Sequence, residues 1–190
     1  MVRDLGRDVA RSDNWLVNAI SISRIDPSAS PADVRGLGEL LIDAIDSNAG
    51  ISFMRGLTAA EAEAWWRSVL TTSSRRAIVL VARDGAGIVG TVQVQPCWAP
   101  NQPHRADLAK LIVHRRSRGQ GIATALMRAA EQEAAAAGLT LLLLDTCKGS
   151  PAERLYASMG WVRVGEVPGF ALNPDGSLCD TVFFYKRLEV

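Results

Sequence analysis

No stretch of this chain is apolar for long enough to cross a bilayer. The longest run, LTLLLL at 139–144, falls far short of the roughly 20 residues that a spanning helix needs. Histidine is scarce too: His104 and His114 are the only two, ten residues apart, with no cysteine within a few positions of either. That is not a metal-ligand pattern, and no metal is expected. The formal net charge is only +1, so there is no global field to favour nucleic acid and any basic site must be local. Neither nucleic acid nor membrane is an expected partner. The three cysteines, Cys97, Cys147 and Cys179, are an odd number without CxxC spacing, which predicts reduced thiols rather than a disulfide framework. The opening MVRDLGRDVARSDNWLV carries aspartates throughout and has no apolar signal-peptide core, so a cytoplasmic location is the expectation.

What is present is an ordinary globular composition, with 48% hydrophobic and 22% charged residues over 190 positions. It predicts one domain, 1–190, with 1–20 a loose N-terminal extension. SISRID at 21–26 alternates like a strand. Ser30 and Pro31 then supply an N-cap and a first helical residue for a helix whose apolar positions are Val34, Leu37, Leu40, Leu41, Ala44 and Ile45. Thr58 and Glu61 form a capping box for a second helix over 57–70. Two β-rich runs, 75–85 and 86–98, meet at DGAG, a hairpin signal. A third run, 105–116, leads into an alanine-rich helix from Ile122 to Ala137 that Gly138 ends. LTLLLLDT at 139–146 suits a strand buried on both faces. A short helix over 150–159, a strand WVRVGEV, a turn-rich GFALNPDGSL and a final strand at 181–188 complete an α/β order.

The chemistry concentrates at RRSRGQGIATALM, residues 115–127, where a strand hands over to a helix. The first N–H groups of a helix have no internal partner and carry the positive end of its dipole. Glycines let those groups approach a ligand, which makes an anion site suited to a phosphate or pyrophosphate. Arg115, Arg116 and Arg118 either add charge around it or form a solvated rim. A P-loop is excluded because GxxxxGK[ST] is absent, and GQGIAT lacks the third glycine of a dinucleotide fingerprint.

Arg116, Gly119 and Gly121 form R-x-x-G-x-G followed by Ile-Ala, and LYASMGW follows after the next strand. With these motifs the chain, over roughly residues 75–188, resembles the GCN5-related N-acetyltransferase (GNAT) family. KLIVHRRSRGQG, LDTCKGSPAERLY and RVGEVPGFALNPDGSL are most similar to its tabtoxin-resistance acetyltransferase type. Where the family typically has asparagine seven residues before the tyrosine, this chain has Gly149. The resemblance implies a mixed central sheet of about six to seven strands, splayed to admit the cofactor and flanked by about four helices. It implies acetyl-CoA as acyl donor and a small-molecule primary amine as acceptor, an antibiotic, a toxin or an amino-acid-like compound. It also implies a homodimer as a common assembly.

By the same resemblance, the cofactor is held by Leu111, Ile112 and Val113 on the strand and by Arg116, Arg118, Gly119, Gln120, Gly121, Ile122, Ala123 and Thr124 on the loop and helix. A strand N–H near Ile112 or Val113 is the implied oxyanion donor. Tyr156 matches the general acid, and Asp145 or Asp107 the base. Each has a plain structural alternative: Tyr156 a core residue, Asp145 a turn cap, Asp107 a paired surface carboxylate. Phe53, Trp65, Trp98 and Arg105 are the candidate acceptor contacts, Arg105 for a carboxylate. Acetylation of a protein amine and a non-catalytic acyl-CoA sensor are the competing functions.

Overall fold

A computed structural model of the chain describes residues 15–17, 20–25, 27–71 and 77–189. Eight strands form one sheet: β1 (Trp15–Val17), β2 (Ile20–Ile25), β3 (Ile78–Asp84), β4 (Gly87–Pro96), β5 (Arg105–Val113), β6 (Leu141–Cys147), β7 (Val162–Leu172) and β8 (Leu178–Arg187). Their spatial order is β1-β2-β3-β4-β5-β6-β8-β7. The eighth strand is β1, which pairs with β2 inside the stretch expected to be a loose extension. Every pairing is antiparallel except β5 with β6. That parallel step requires a crossover, and the connecting helix α3 (Ile122–Ala136) supplies it.

The helices α1 (Pro31–Asp46) and α2 (Ala59–Thr71) cover one face of the sheet, and α3 covers the other with the short α4 (Pro151–Ser158). The apolar stripe predicted for α1 is buried in full, from Val34 to Ile45. Trp66 of α2 is fully buried beside it. On the opposite face, Leu126, Met127, Ala129, Ala130 and Ala134 of α3 pack with Val89, Val92 and Val94 of β4. Small residues let the α3 backbone come close. At Gly90 of β4 an added Cβ would lie 2.9 Å from Leu126 Cδ1 and 3.1 Å from the Ile112 carbonyl oxygen. Nothing larger than glycine fits there without moving the first turns of α3.

Two features of the sheet make room for a ligand. The pairing of β5 with β6 runs only from Arg105↔Leu141 to Asp107↔Leu143, after which the strands part. This is the expected splay. Beside it, the β4–β5 register shifts between Thr91 and Gln93, and Lys110 sits at φ +55° in the left-handed region. A β-bulge of this kind re-aims the side chains that follow it.

Two expectations need correction. GFALNPDGSL is not one long turn, because β7 continues through it to Leu172. Pro168 and Gly169 fall in a register shift between Val167 and Ala171, and Gly169 N–H donates to Asp180 Oδ1 at 2.9 Å. Turn chemistry on an edge strand has made a bulge instead of a turn. The cysteines are also not all free thiols. Cys147 and Cys179 form a disulfide with Cα atoms 5.9 Å apart, leaving Cys97 as the free one. The β6–β8 register pairs Cys147 with Thr181, so Cys179 lies two residues along the neighbouring strand. An odd count and linear spacing carry no information about such a cross-strand meeting.

Candidate active site

The loop between β5 and α3 is built by its own arginines. The His114 N–H donates to the Val89 carbonyl at 2.9 Å, ending the strand, and residues 115–117 turn in a short 3₁₀ helix. Arg115 is drawn back to Asp43 of α1, a buried carboxylate that accepts from its backbone N–H at 3.0 Å and from Nε. Arg116 pairs with Asp84 at 3.0 Å, across the β3–β4 hairpin. Arg118 Nε donates to the Val113 carbonyl at 3.1 Å. The three arginines thus hold the loop's shape, and the guanidinium of Arg116 in particular is engaged with a carboxylate.

What they leave facing outward is backbone. Gly119 and Gly121 have φ +76° and +78°, and a Cβ on either would meet nothing within 4 Å. Gly121 is the N-cap of α3, with no side-chain cap hydrogen bond. The N–H groups of Gly119 through Thr124 have no acceptor among the described residues. A helix start with open donors, positive dipole and free space in front fits a pyrophosphate. The expected cofactor residues Gly119, Gln120, Gly121, Ile122, Ala123 and Thr124 all lie along it. Leu111, Ile112 and Val113 lie on β5 beyond its last pairing with β6. The Ile112 carbonyl is turned toward Gly90 of β4, so by strand alternation the backbone groups of Leu111 and the Val113 N–H face the open side, the Val113 carbonyl there accepting from Arg118.

At the splay, Asp145, Asp107 and Arg105 alternate with residues of the α3-side core and so lie on the α1–α2 face, while Tyr156 of α4 packs within the core on the α3 face. Asp145 has no hydrogen-bond partner among the described residues and opens onto solvent, yet its carboxyl is held above the ordinary range. Desolvation by the surrounding walls is the main cause; Lys110 pulls the other way and Asp107 adds to the rise. Tyr156 is buried, with its ring 6.1 Å from that of Trp161 and 6.0 Å from that of Phe184. Its hydroxyl is pushed far above the usual value by burial and by Asp145, so it stays protonated. Asp107 is clamped by Arg105 at 2.8 Å, and Arg105 Nε also donates to Gln102 at 2.6 Å. The cation expected to meet a carboxylate of the acceptor is therefore already spent on Asp107 and Gln102.

Phe53 and Trp65 come together edge to face at 5.1 Å, whereas Trp98 stands 81% exposed after β4 and takes no part in that pair. Lys110 Nζ lies 5.7 Å from both rings and donates to Ser52 Oγ at 3.2 Å. The segment carrying Ser52 and Phe53 is tied to the far end of the chain. Asn48 Nδ2 donates to Asp175 Oδ2 at 2.9 Å, and Arg55 N–H donates to the Pro174 carbonyl at 3.1 Å. The α1–α2 connection and the β7–β8 turn thus meet beside the cleft.

Sequence reasoning missed two of these residues, and each had left a signal. Ala106 and Leu108 share one face of β5, but Leu111 and Val113 pack on that same face. The apolar alternation therefore slips by one residue at Lys110, which is the sequence trace of a bulge. Asp43 follows Leu40 by three positions inside the α1 stripe, where a lone carboxylate calls for a cation.

Comparison with known proteins agrees with this geometry. The sequence model of the Acetyltransferase (GNAT) family matches residues 45–161. An N-acetyltransferase encoded in the hisH-hisA intergenic region of Azospirillum brasilense is 29% identical over 152 residues, covering 76% of this chain and 89% of that protein. Two solved structures share the fold. The protein yncA of Salmonella typhimurium, solved with its cofactor acetyl-CoA, has a TM-score of 0.73 at 20% identity, covering 90% of this chain and 95% of that one. Ribosomal-protein-alanine N-acetyltransferase of Brucella melitensis has a TM-score of 0.73 at 24% identity, covering 88% and 99%. An open-ended helix after a bulged strand, a splayed sheet and a family match over more than half the chain lead to one conclusion: this chain belongs to the GNAT family and is an acetyl-CoA-dependent N-acetyltransferase.

Proposed function

We propose that the chain acetylates a primary amine of a small molecule, by direct attack with donor and acceptor bound together. The observation that carries this reading is the tying of the α1–α2 connection both to the β7–β8 turn and, through Ser52, to Lys110 of β5. The α1–α2 connection, tied to the β7–β8 turn through Asn48–Asp175 and Arg55–Pro174, lies where a peptide acceptor needs an open groove. The likeness to the tabtoxin-resistance type supports a small acceptor as well.

Bound acetyl-CoA supplies an acetyl group as a thioester. The N–H groups of Gly119–Thr124 would hold its pyrophosphate, and the open edge at Leu111 and the Val113 N–H would pair with its extended amide chain as a sheet edge pairs with a peptide. The Val113 N–H is the donor best placed for charge developing on the carbonyl oxygen. Asp145 takes the proton of the acceptor ammonium, for which a carboxyl above the ordinary range is suited. Asp107, paired with Arg105, positions and does not accept the proton. Tyr156 keeps its proton at neutral pH and would give it to the leaving sulfur, its hydroxyl being restored by the second proton that the attacking nitrogen loses.

The test is thiol release from acetyl-CoA over a panel of small amines and peptides. Small amines are expected to turn over and peptides not; the reverse overturns the small-acceptor reading. No release with any acceptor, beside tight acetyl-CoA binding, would favour a sensor. In the same assay Tyr156→Phe is expected to lower kcat by about 100-fold with little change in acetyl-CoA affinity. Undiminished turnover at every pH sinks the acid role.

A further inference from the structure

We infer that Lys110 is an anion anchor, and that the acceptor carries a carboxylate within a few atoms of the amine it presents to Asp145. This deepens the small-amine reading and rests on it.

Four independent features lead there. The first is backbone conformation. Only three described residues other than glycine have positive φ, and two of them, Ser52 at 71° and Lys110 at 55°, are the hydrogen-bonded pair. Conformations of this kind persist where the surrounding structure requires a side chain to point one way.

The second is the lack of an ionic partner. Among the arginines of β5 and the loop after it, Arg105 is bound to Asp107, Arg115 to Asp43 and Arg116 to Asp84. Lys110 has no carboxylate within salt-bridge distance among the described residues. It feels Asp145 only through space, and burial holds its ammonium below the ordinary value. An ammonium has three donors, and Ser52 takes one. The rings of Phe53 and Trp65 hold the charge in place without using the other two.

The third is a second donor on the same face. Gln93 pairs across the sheet with Ala109, next to Lys110, and alternates with Val92 and Val94, which face α3. It is fully buried, and its Nε2 has no partner. An unpartnered buried amide donor and a half-buried cation on the same face of the sheet match an anionic acceptor of hydrogen bonds.

The fourth is the strand across the splay. Asp145 is near enough to influence Lys110 but not in contact with it. A cation and a carboxylate on the two strands that part at the splay, each just past the last β5–β6 pair Asp107↔Leu143, are complementary to a zwitterion. Its ammonium end goes to Asp145, beside the splay, and its carboxylate to Lys110.

The experiment measures thiol release from acetyl-CoA with the proteinogenic amino acids, each beside its C-terminal amide and its decarboxylated amine. For the best acceptor, wild-type protein is expected to favour the acid over the amide by about tenfold or more in kcat/KM. Lys110→Met is expected to bring that ratio close to one, chiefly through KM for the acid, and Lys110→Arg to retain part of it. Acid and amide used equally by the wild type, or a Lys110→Met loss that falls equally on both, overturns the anchor. If no member of the panel turns over, it is the acetylation of amino-acid-like amines that fails. The anchor is then read from thermal unfolding of the acetyl-CoA-saturated protein with each acid and amide. Stabilisation selective for acids and lost in Lys110→Met supports it, and its absence overturns it.

Discussion

Two helix starts face each other across the splay, and they are treated in opposite ways. Both α3 and α4 follow a strand that borders the gap, and both are preceded by a glycine in the left-handed region, Gly121 at φ +78° and Gly149 at +76°. At α4 the donors are closed off: the Glu153 N–H donates to Ser150 Oγ at 3.2 Å, and the Gly149 N–H to Glu153 Oε2 at 2.6 Å. At α3 no side chain caps anything. A side-chain cap is worth about 1 kcal/mol to a helix, so leaving α3 open forgoes stability. On the proposed function, the open end keeps its donors for acetyl-CoA and the closed end holds Tyr156 in place. The same turn geometry would then serve binding in one place and positioning in the other.

The strongest way to break this contrast is to put a side chain on each glycine. A β-branched residue in the left-handed region costs roughly 1–2 kcal/mol, so Gly121→Val and Gly149→Val should lose similar stability. Calorimetric titration should then separate them. Gly121→Val is expected to weaken acetyl-CoA by at least about 100-fold, because its Cβ and methyls enter the open space before the cradle. Gly149→Val is expected to stay within about threefold of wild type. Equal losses of affinity would show that the two starts do not differ in function.

A smaller effect is expected one step behind the cradle. Asp43 is buried and holds Arg115 by its backbone and side chain, whereas the Asp84–Arg116 pair lies nearer the surface. Hydrogen bonds to a buried charge are worth about 1.5–3 kcal/mol, and an exposed pair about 0–1. Asp43→Ala should therefore cost about 2 kcal/mol in urea unfolding and weaken acetyl-CoA by roughly tenfold. Asp84→Ala should cost under about 1 kcal/mol and leave affinity nearly intact. The reverse ranking would mean that Arg116, and not the Asp43 anchor, governs the cradle.

Much of the open start was legible in the chain, because it is written in local chemistry. Two glycines one residue apart, after a strand and before an alanine-rich helix, specify their own backbone. The caps at Ser30 and Thr58 were legible for the same reason, and both form as capping boxes. The cleft was not, because it is assembled from distant pieces. Lys110 meets Ser52 across 58 positions, and Asn48 meets Asp175 across 127. No local pattern announces either meeting. Arg105 was singled out for its charge, yet charge alone cannot show that a carboxylate two residues along already holds it.

At the closed start the expected change is smaller again. Ser150→Ala removes the cap of α4 but leaves the Tyr156 ring packed between Trp161 and Phe184. About 1 kcal/mol of stability should be lost, with acetyl-CoA affinity unaffected and kcat reduced only a few-fold. A loss of affinity as large as that of Asp43→Ala would make α4 part of the cradle.

The smallest change tests the electrostatics between the two starts. Burial holds the Asp145 carboxyl above its unfolded value despite the pull of Lys110, with Asp107 adding to the rise. A group with a raised folded pKa contributes stability that is complete below its unfolded pKa and lost as pH rises through the folded one. The ionised form that the proposed base role needs is therefore carried at some cost to the fold. Asparagine never ionises, so Asp145→Asn should raise Tm slightly at neutral pH. The gain should shrink on acidification and vanish below the ordinary aspartate pKa, about 3.9. Turnover should fall in the same variant. Ser150→Ala, by contrast, should lower Tm at every pH, since no titrating group is involved. A pH-independent gain for Asp145→Asn would assign its effect to packing, and a loss at neutral pH would mean that the ion is net favoured by Lys110.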